Sequence, residues 1–190
     1  MRLFLKSVIV MVIFLGTTPF AFGQGAGIEW ETLNDEVKEL SRAGNYDRGI
    51  IVAKKALEVA EKNVGPNHPD VASSLNNLAS LYSNQGQYEQ AEPLYKRSLA
   101  IREKVLGPDH PDVALGLNNL ASIYQKQSQY EQAEPLYNRA LAIREKALGP
   151  DHPAVANSLS NLAELYKATG RDEEANKLEL RAANIRAIKR

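Results

Sequence analysis

The sequence predicts an all-α solenoid of four stacked helix pairs. Three observations predict it. Blocks of sequence return every 42 residues, the apolar residues of each block fall on one helical face, and Gly or Pro stands where each helix has to end. GPNHPDVA at Gly65 returns as GPDHPDVA at Gly107 and as GPDHPAVA at Gly149. NNLASLY at Asn76 returns as NNLASIY at Asn118 and SNLAELY at Ser160, and QYEQAEPLY at Gln87 returns unchanged at Gln129. Residues 71–112 and 113–154 agree at 32 of 42 positions, far beyond chance.

The N-terminal segment differs from everything after it. Arg2 and Lys6 give a positive start, Val8 to Leu15 is an unbroken apolar run, and Ala21 and Gly23 are small residues three and one before a cut between Gly23 and Gln24. That layout predicts a secretory signal peptide over 1–23 and a short linker over 24–28. The apolar run is short against the roughly 20 residues of a membrane span, so cleavage and export to a periplasmic or secreted location are expected. An uncleaved membrane anchor and a buried first helix are the alternatives.

Four repeats follow, over 29–70, 71–112, 113–154 and 155–190. The first is degenerate: Leu33, Asn34, Leu40, Gly44 and Tyr46 anticipate Leu75, Asn76, Tyr82, Gly86 and Tyr88. In the second, Leu75, Leu78, Ala79 and Tyr82 form the stripe of a first helix. His68-Pro69-Asp70 opens it, since Pro costs nothing in a first turn and Asp suits the positive helix end. Gly86 supplies the turn, and Ala91, Leu94, Tyr95, Ser98, Leu99, Ile101 and Val105 form the stripe of a second helix that Gly107-Pro108 ends. Pro93 and Pro135 fall in the second turns of their helices, where a mild bend or a late helix start is expected. The last copy carries Leu159, Leu162, Ala163, Tyr166, Gly170 and Ala175 and is truncated. A helix pair cannot bury its stripe alone but stacked pairs can, which predicts a right-handed α-α superhelix with a concave and a convex face.

Composition narrows the function. Lys plus Arg (23) equals Asp plus Glu (23), so the field expected of a nucleic-acid binder is missing. The chain has no Cys, hence no disulfide, thiolate metal site or thiol nucleophile. His68, His110 and His152 share one repeat position, so they are spaced along an edge rather than gathered on a metal; a helix-start role before Pro is expected, and no metal or cofactor. Glu89/Glu92 and Glu131/Glu134 recur with the repeat and read as solvated helix-start charge. With no nucleophile, phosphate-loop or metalloprotease pattern, the sequence points away from an enzyme.

Leu, Leu-Ala, Tyr and then Gly-x-Tyr-x-x-Ala resemble the tetratricopeptide signature. LNNLA, YEQAEPLY, ALAIREK and LGPDHPDVA closely resemble the 42-residue repeats of kinesin light chains, over about Trp30 to Arg190. Ser128 replaces the turn Gly, Glu36 an apolar residue and Asp172 a Tyr. The chain has an export signal and no heptad coiled coil, so microtubule transport is not implied. The resemblance implies a protein–protein interaction scaffold whose first helices line the concave groove. Facing residues would then be Ser73, Asn76, Asn77, Ser80, Ser83 and Asn84 in the second repeat, Leu115, Asn118, Asn119, Ser122, Gln125 and Lys126 in the third, and Asn157, Ser160, Asn161, Glu164 and Lys167 in the fourth. Asn carboxamides there can clamp the backbone of an extended peptide. Alternatively Asn77, Asn119 and Asn161 bond the neighbouring helix and organise the stack, or one Asn of each pair does each job. The competing function is a structural oligomerisation unit. In the last helix, about Glu173 to Lys189, Leu178, Leu180, Ile185 and Ile188 have to be covered by repeat four, covered by a second chain, or left exposed.

Overall fold

The computed structural model describes residues 19–188, with side chains from Ile28 onward. Eight helices run through them and no strand: α1 Pro19–Arg42, α2 Tyr46–Val64, α3 Pro69–Asn84, α4 Tyr88–Leu106, α5 Pro111–Lys126, α6 Tyr130–Leu148, α7 Pro153–Ala168 and α8 Asp172–Ile188. Residues 1–18 of the expected leader lie outside the described residues. Residues 19–28, expected to end the leader and form a linker, are the first turns of α1, with Pro19 at the first helical position. No later proline interrupts them, so each backbone N–H can find its carbonyl four residues back.

The start of each first helix is written in one motif. His68, His110 and His152 are N-caps, their Nδ1 accepting from the backbone N–H of Asp70, Asp112 and Ala154 at 3.2, 3.1 and 3.1 Å. Pro69, Pro111 and Pro153 follow in the first turn. The expected helix-start role of the histidines is the one they have. At the other end, Gly65, Gly107 and Gly149 close the second helices.

Pro93 and Pro135 do not delay their helices. α4 begins at Tyr88 and α6 at Tyr130, five residues earlier in each case. The carbonyls that lose an N–H partner belong to Glu89 and Glu131, which are exposed, so water serves them and the helix continues.

Successive helices pack in order, α1 on α2, α2 on α3 and so on to α8. The same positions make the core each time. Val71, Val113 and Val155, Leu75, Leu117 and Leu159, and Leu81, Ile123 and Leu165 are all sealed from solvent. Each such side chain contributes about 1.5–3 kcal/mol on burial. The close approach is visible at Gly116, where an added Cβ would lie 3.2 Å from a Leu99 methyl on the preceding helix.

The stack also has a direction of curvature. First helices of neighbouring repeats touch one another (α1 with α3, α3 with α5, α5 with α7), whereas no two second helices come as close. The rod therefore bends toward its first helices, which form the inner arc. The ends differ from the middle: in α8, Ile185 is buried and Leu178 partly so, while Leu180 and Ile188 stay 65% and 68% exposed.

The turn inside each repeat needs a positive φ. Gly44, Gly86 and Gly170 adopt 70°, 75° and 76°, and Ser128 adopts 60° in the third. A side chain there costs roughly 1–2 kcal/mol, of which glycine's greater unfolded freedom returns part. Ser128→Gly is expected to stabilise the fold by about 0.5–1 kcal/mol and to raise the thermal midpoint by about 2 °C in a calorimetric scan.

Candidate binding groove

The inner arc carries a ladder of carboxamides. Asn77 donates its Nδ2 to Asn34 Oδ1 at 3.0 Å, Asn119 to Asn76 at 2.7 Å and Asn161 to Asn118 at 3.3 Å. Each repeat junction thus has one such bond between adjacent first helices. Asn34 and Asn118 are 5% exposed, and their amides turn back to Trp30 O and Ala114 O at 3.1 and 3.0 Å. Asn is a middling helix former, and the stack is the reason it recurs here. The stack-organising alternative thus describes the bonds that Asn77, Asn119 and Asn161 make.

Two recesses open between the rungs. One, between the first helices of repeats one and two, is lined by Val37, Lys38, Ser41, Arg42, Asn77 and Ser80. The other, of about 310 Å³, lies between repeats three and four and is lined by Ser122, Gln125, Lys126, Tyr130, Tyr137, Asn161, Glu164 and Ala168. Lys38, Ser41, Arg42, Asn77 and Ser80 stand two repeats before Ser122, Gln125, Lys126, Asn161 and Glu164, so the two recesses are the same place in the repeat. The recess between repeats three and four includes a buried phenol, Tyr137, and Tyr95 is its counterpart one repeat earlier. Burial pushes the Tyr95 and Tyr137 hydroxyls up to about 12, against a weaker downward pull from the hydrogen-bonded hydroxyls of Ser80 and Ser122. Both phenols are neutral hydrogen-bonding groups at physiological pH.

The expected groove residues divide accordingly. Asn77, Ser80, Ser122, Lys126, Asn161 and Glu164 line the recesses. Asn76 joins the ladder, and Asn84 and Asn157 are exposed on α3 and α7. Ser73 bonds within its own helix, to Pro69 O at 3.1 Å, and Ser160 accepts from Arg186 at 2.9 Å. Asn118 is buried beneath the groove rather than facing it. Lys38, Ser41, Arg42, Tyr130 and Tyr137 were not among the expected residues; the first three lie in the degenerate repeat, Tyr137 reads as part of a second-helix stripe, and Tyr130 as the Tyr of the turn motif.

Around the groove each junction is tied by further polar contacts. Tyr124 donates to Glu92 at 3.0 Å, and Arg171 grips both oxygens of Glu134 at 3.0 and 2.8 Å. Lys96, 2.6 Å from Glu92, and Arg171 at Glu134 hold both carboxyls below the usual range. The Arg102 guanidinium reaches Asp112 O at 3.4 Å, and Arg144 reaches Ala154 O at 3.2 Å and Ser158 Oγ at 2.7 Å. On the second helices, Arg97 pairs with Glu61, Arg139 with Glu103 and Arg181 with Glu145 at 2.6, 2.7 and 2.5 Å. Among the described residues no three His, Cys, Asp or Glu side chains converge to hold a metal, and no helix is long and apolar enough to cross a membrane.

Known proteins share this fold. The profile described as nephrocystin-3 TPR domain matches residues 31–147, and one described as tetratricopeptide repeat matches 112–187. The chain is similar to the crystal structure of BtubC (BKLC) from P. vanneervenii, with a TM-score of 0.76 and 28% identity over 86% of this chain. It spans 64% of that protein's length. It is also similar to the nearly identical, kinesin light chain TPR-like repeats of a Podosopora anserina protein, with a TM-score of 0.73 and 27% identity over 83% of this chain and 74% of that one. No curated protein matches the sequence.

The ladder makes a stability prediction. Replacing Asn77, Asn119 and Asn161 together by Ala removes one bond per junction and leaves each facing oxygen without its donor. A loss of about 1 kcal/mol per site, about 3 kcal/mol in all, is expected from urea unfolding. A triple variant as stable as the parent would remove the ladder's structural role.

Proposed function

The chain belongs to the tetratricopeptide repeat family, and from that premise we propose that it is a non-catalytic scaffold that holds an extended segment of a partner protein along its inner arc. Tetratricopeptide repeats generally mediate protein–protein interaction, and the fold is typically a non-catalytic scaffold. The observation that carries the reading for this chain is the pair of equivalent recesses, where hydroxyls, carboxamides and a few charges face the same hollow at two points along the rod. Such a surface suits a peptide backbone, which presents donors and acceptors whatever its sequence. The ladder does not exhaust it: Asn77, Asn119 and Asn161 each donate once and keep a second N–H, and Ser41, Gln125 and Glu164 make no bond that ties the stack. First helices packed about 8–10 Å apart span roughly 30 Å over four repeats. An extended chain covers that with about nine residues.

The leader, with its positive start, apolar run and small residues before Gln24, supports export, and we propose a periplasmic or secreted protein. The mass of the mature N-terminus tests this: a chain beginning at Gln24 is expected, and one still beginning at Met1 would overturn cleavage.

A second reading, a structural assembly unit, is favoured by Leu180 and Ile188, the large apolar side chains that α8 leaves exposed.

Selection from a displayed library of random peptides about twelve residues long, enough to cover the groove, tests the first reading. Peptides retained by the wild-type chain are expected to bind at least about tenfold more weakly to Gln125→Ala/Lys126→Ala/Glu164→Ala, with the melting temperature moved by no more than about 1 °C, since these positions face solvent. Retained peptides indifferent to the triple variant, or no peptide retained at all, would overturn groove binding.

A further inference from the structure

A carboxamide bond and an Arg–Glu pair recur at fixed offsets at all three internal junctions, and a forward-reaching Arg at the last two, so the outer faces of the first and fourth repeats can be matched side chain by side chain. One more repeat stacked on α8 would place Thr32, Asp35 and Leu40 of a second copy where Ser158, Asn161 and Tyr166 meet the third repeat. The exposed face of α7–α8 carries the reciprocal groups.

Arg186 is the counterpart of Arg102 and Arg144, which reach forward into the first turn of the next first helix. Among the described residues no helix lies ahead of Arg186, and it turns back on its own repeat, 2.9 Å from Ser160 Oγ and 3.5 Å from Ala156 O. In a stacked copy its acceptors would be Ile28 O and the Thr32 hydroxyl. Ser160 holds the ladder position of Asn34, Asn76 and Asn118. Opposite it would stand Asp35, a carboxylate 72% exposed, complementary to the serine hydroxyl and the neighbouring guanidinium.

The apolar groups match as well. Lys54 and Lys96 lie 5.9 and 5.8 Å from the Tyr82 and Tyr124 rings of the next repeat, and Asn138 hydrogen-bonds Tyr166. The fourth repeat places Leu180 there, and the residue it would meet is Leu40 instead of a tyrosine. Where the internal junction sets Leu99 against Gly116, the ends set the smaller Ala183 against the larger Thr32.

We propose that the exposed face of α7–α8 docks on the outer face of α1 in a second copy of this chain, continuing the solenoid head to tail. The proposal rests on the assembly reading and adds the partner and the face. Such a contact does not close on itself, so it produces short open rods. It is weaker than an internal junction: Glu36 and Glu39 stand where Leu78 and Leu81 pack, and Ala187 would meet Lys55 where internal junctions pair Glu with Arg.

Sedimentation velocity of the purified chain from roughly 5 to 200 µM is expected to show monomer passing into dimer and longer species. Asp35→Arg alone and Arg186→Asp alone should each weaken association about tenfold, as should Leu180→Lys, and mixing the two charge variants should restore it, because each supplies the charge the other needs. All three positions are exposed, and unchanged circular-dichroism melts would confirm that the variants fold. A monomer at every concentration would overturn the assembly reading and this proposal together. Association abolished by Leu180→Lys but untouched by Asp35→Arg would overturn the head-to-tail contact alone and leave a symmetric pairing of α8 helices.

Discussion

No helix pair in this chain can shelter its own apolar side. Val71, Leu75 and Leu81 are sealed because α2 and α4 close over them, and the same holds one repeat later for Val113, Leu117 and Ile123. That nearest-neighbour dependence turns a repeated sequence into a rod with continuous packing rather than a string of hairpins. It also fits a recurrence that is strictest in the second and third repeats, which have described neighbours on both sides, and looser in the first and fourth.

The polar contacts follow the same logic with a division of labour. The inner arc is tied by neutral amide bonds between first helices, the outer arc by Arg–Glu pairs between second helices, and the middle by Arg102 and Arg144 donating into the next helix's first turn. The outer pairs are about a third or more exposed and contribute little each. The guanidiniums are different. Burial lowers the proton affinity of Arg102 and Arg144, and these cations stay in place because backbone and hydroxyl oxygens receive their N–H groups. The rod is specified by polar register as well as by apolar volume.

Much of this was legible in the sequence. The period located every helix from Tyr46 to Ala168, because His-Pro and Gly fix helix ends through local chemistry that needs no knowledge of the fold. What escaped was whatever depends on the neighbour. Arg102 reads as one more base near a helix end, and its burial appears only when α5 supplies a carbonyl. Asn118 reads as a groove residue, yet it sinks below the surface because Ser158 and Ala114 lie within its reach. Lys38 and Arg42 went unnoticed because the first repeat has drifted too far for periodicity to mark them. Of the bend or late start that Pro93 suggested, the late start does not occur, because an exposed carbonyl loses little when water can replace its donor.

The division between inner and outer ties has a mechanical consequence. Dissolved salt screens the Arg–Glu pairs of the outer arc, while the carboxamide rungs of the inner arc carry no net charge to screen. Ionic strength therefore acts on the ion pairs between repeats and leaves the rungs themselves untouched. The hollow keeps its rung spacing while the back loosens slightly, so the curvature of the rod responds to the electrolyte around it.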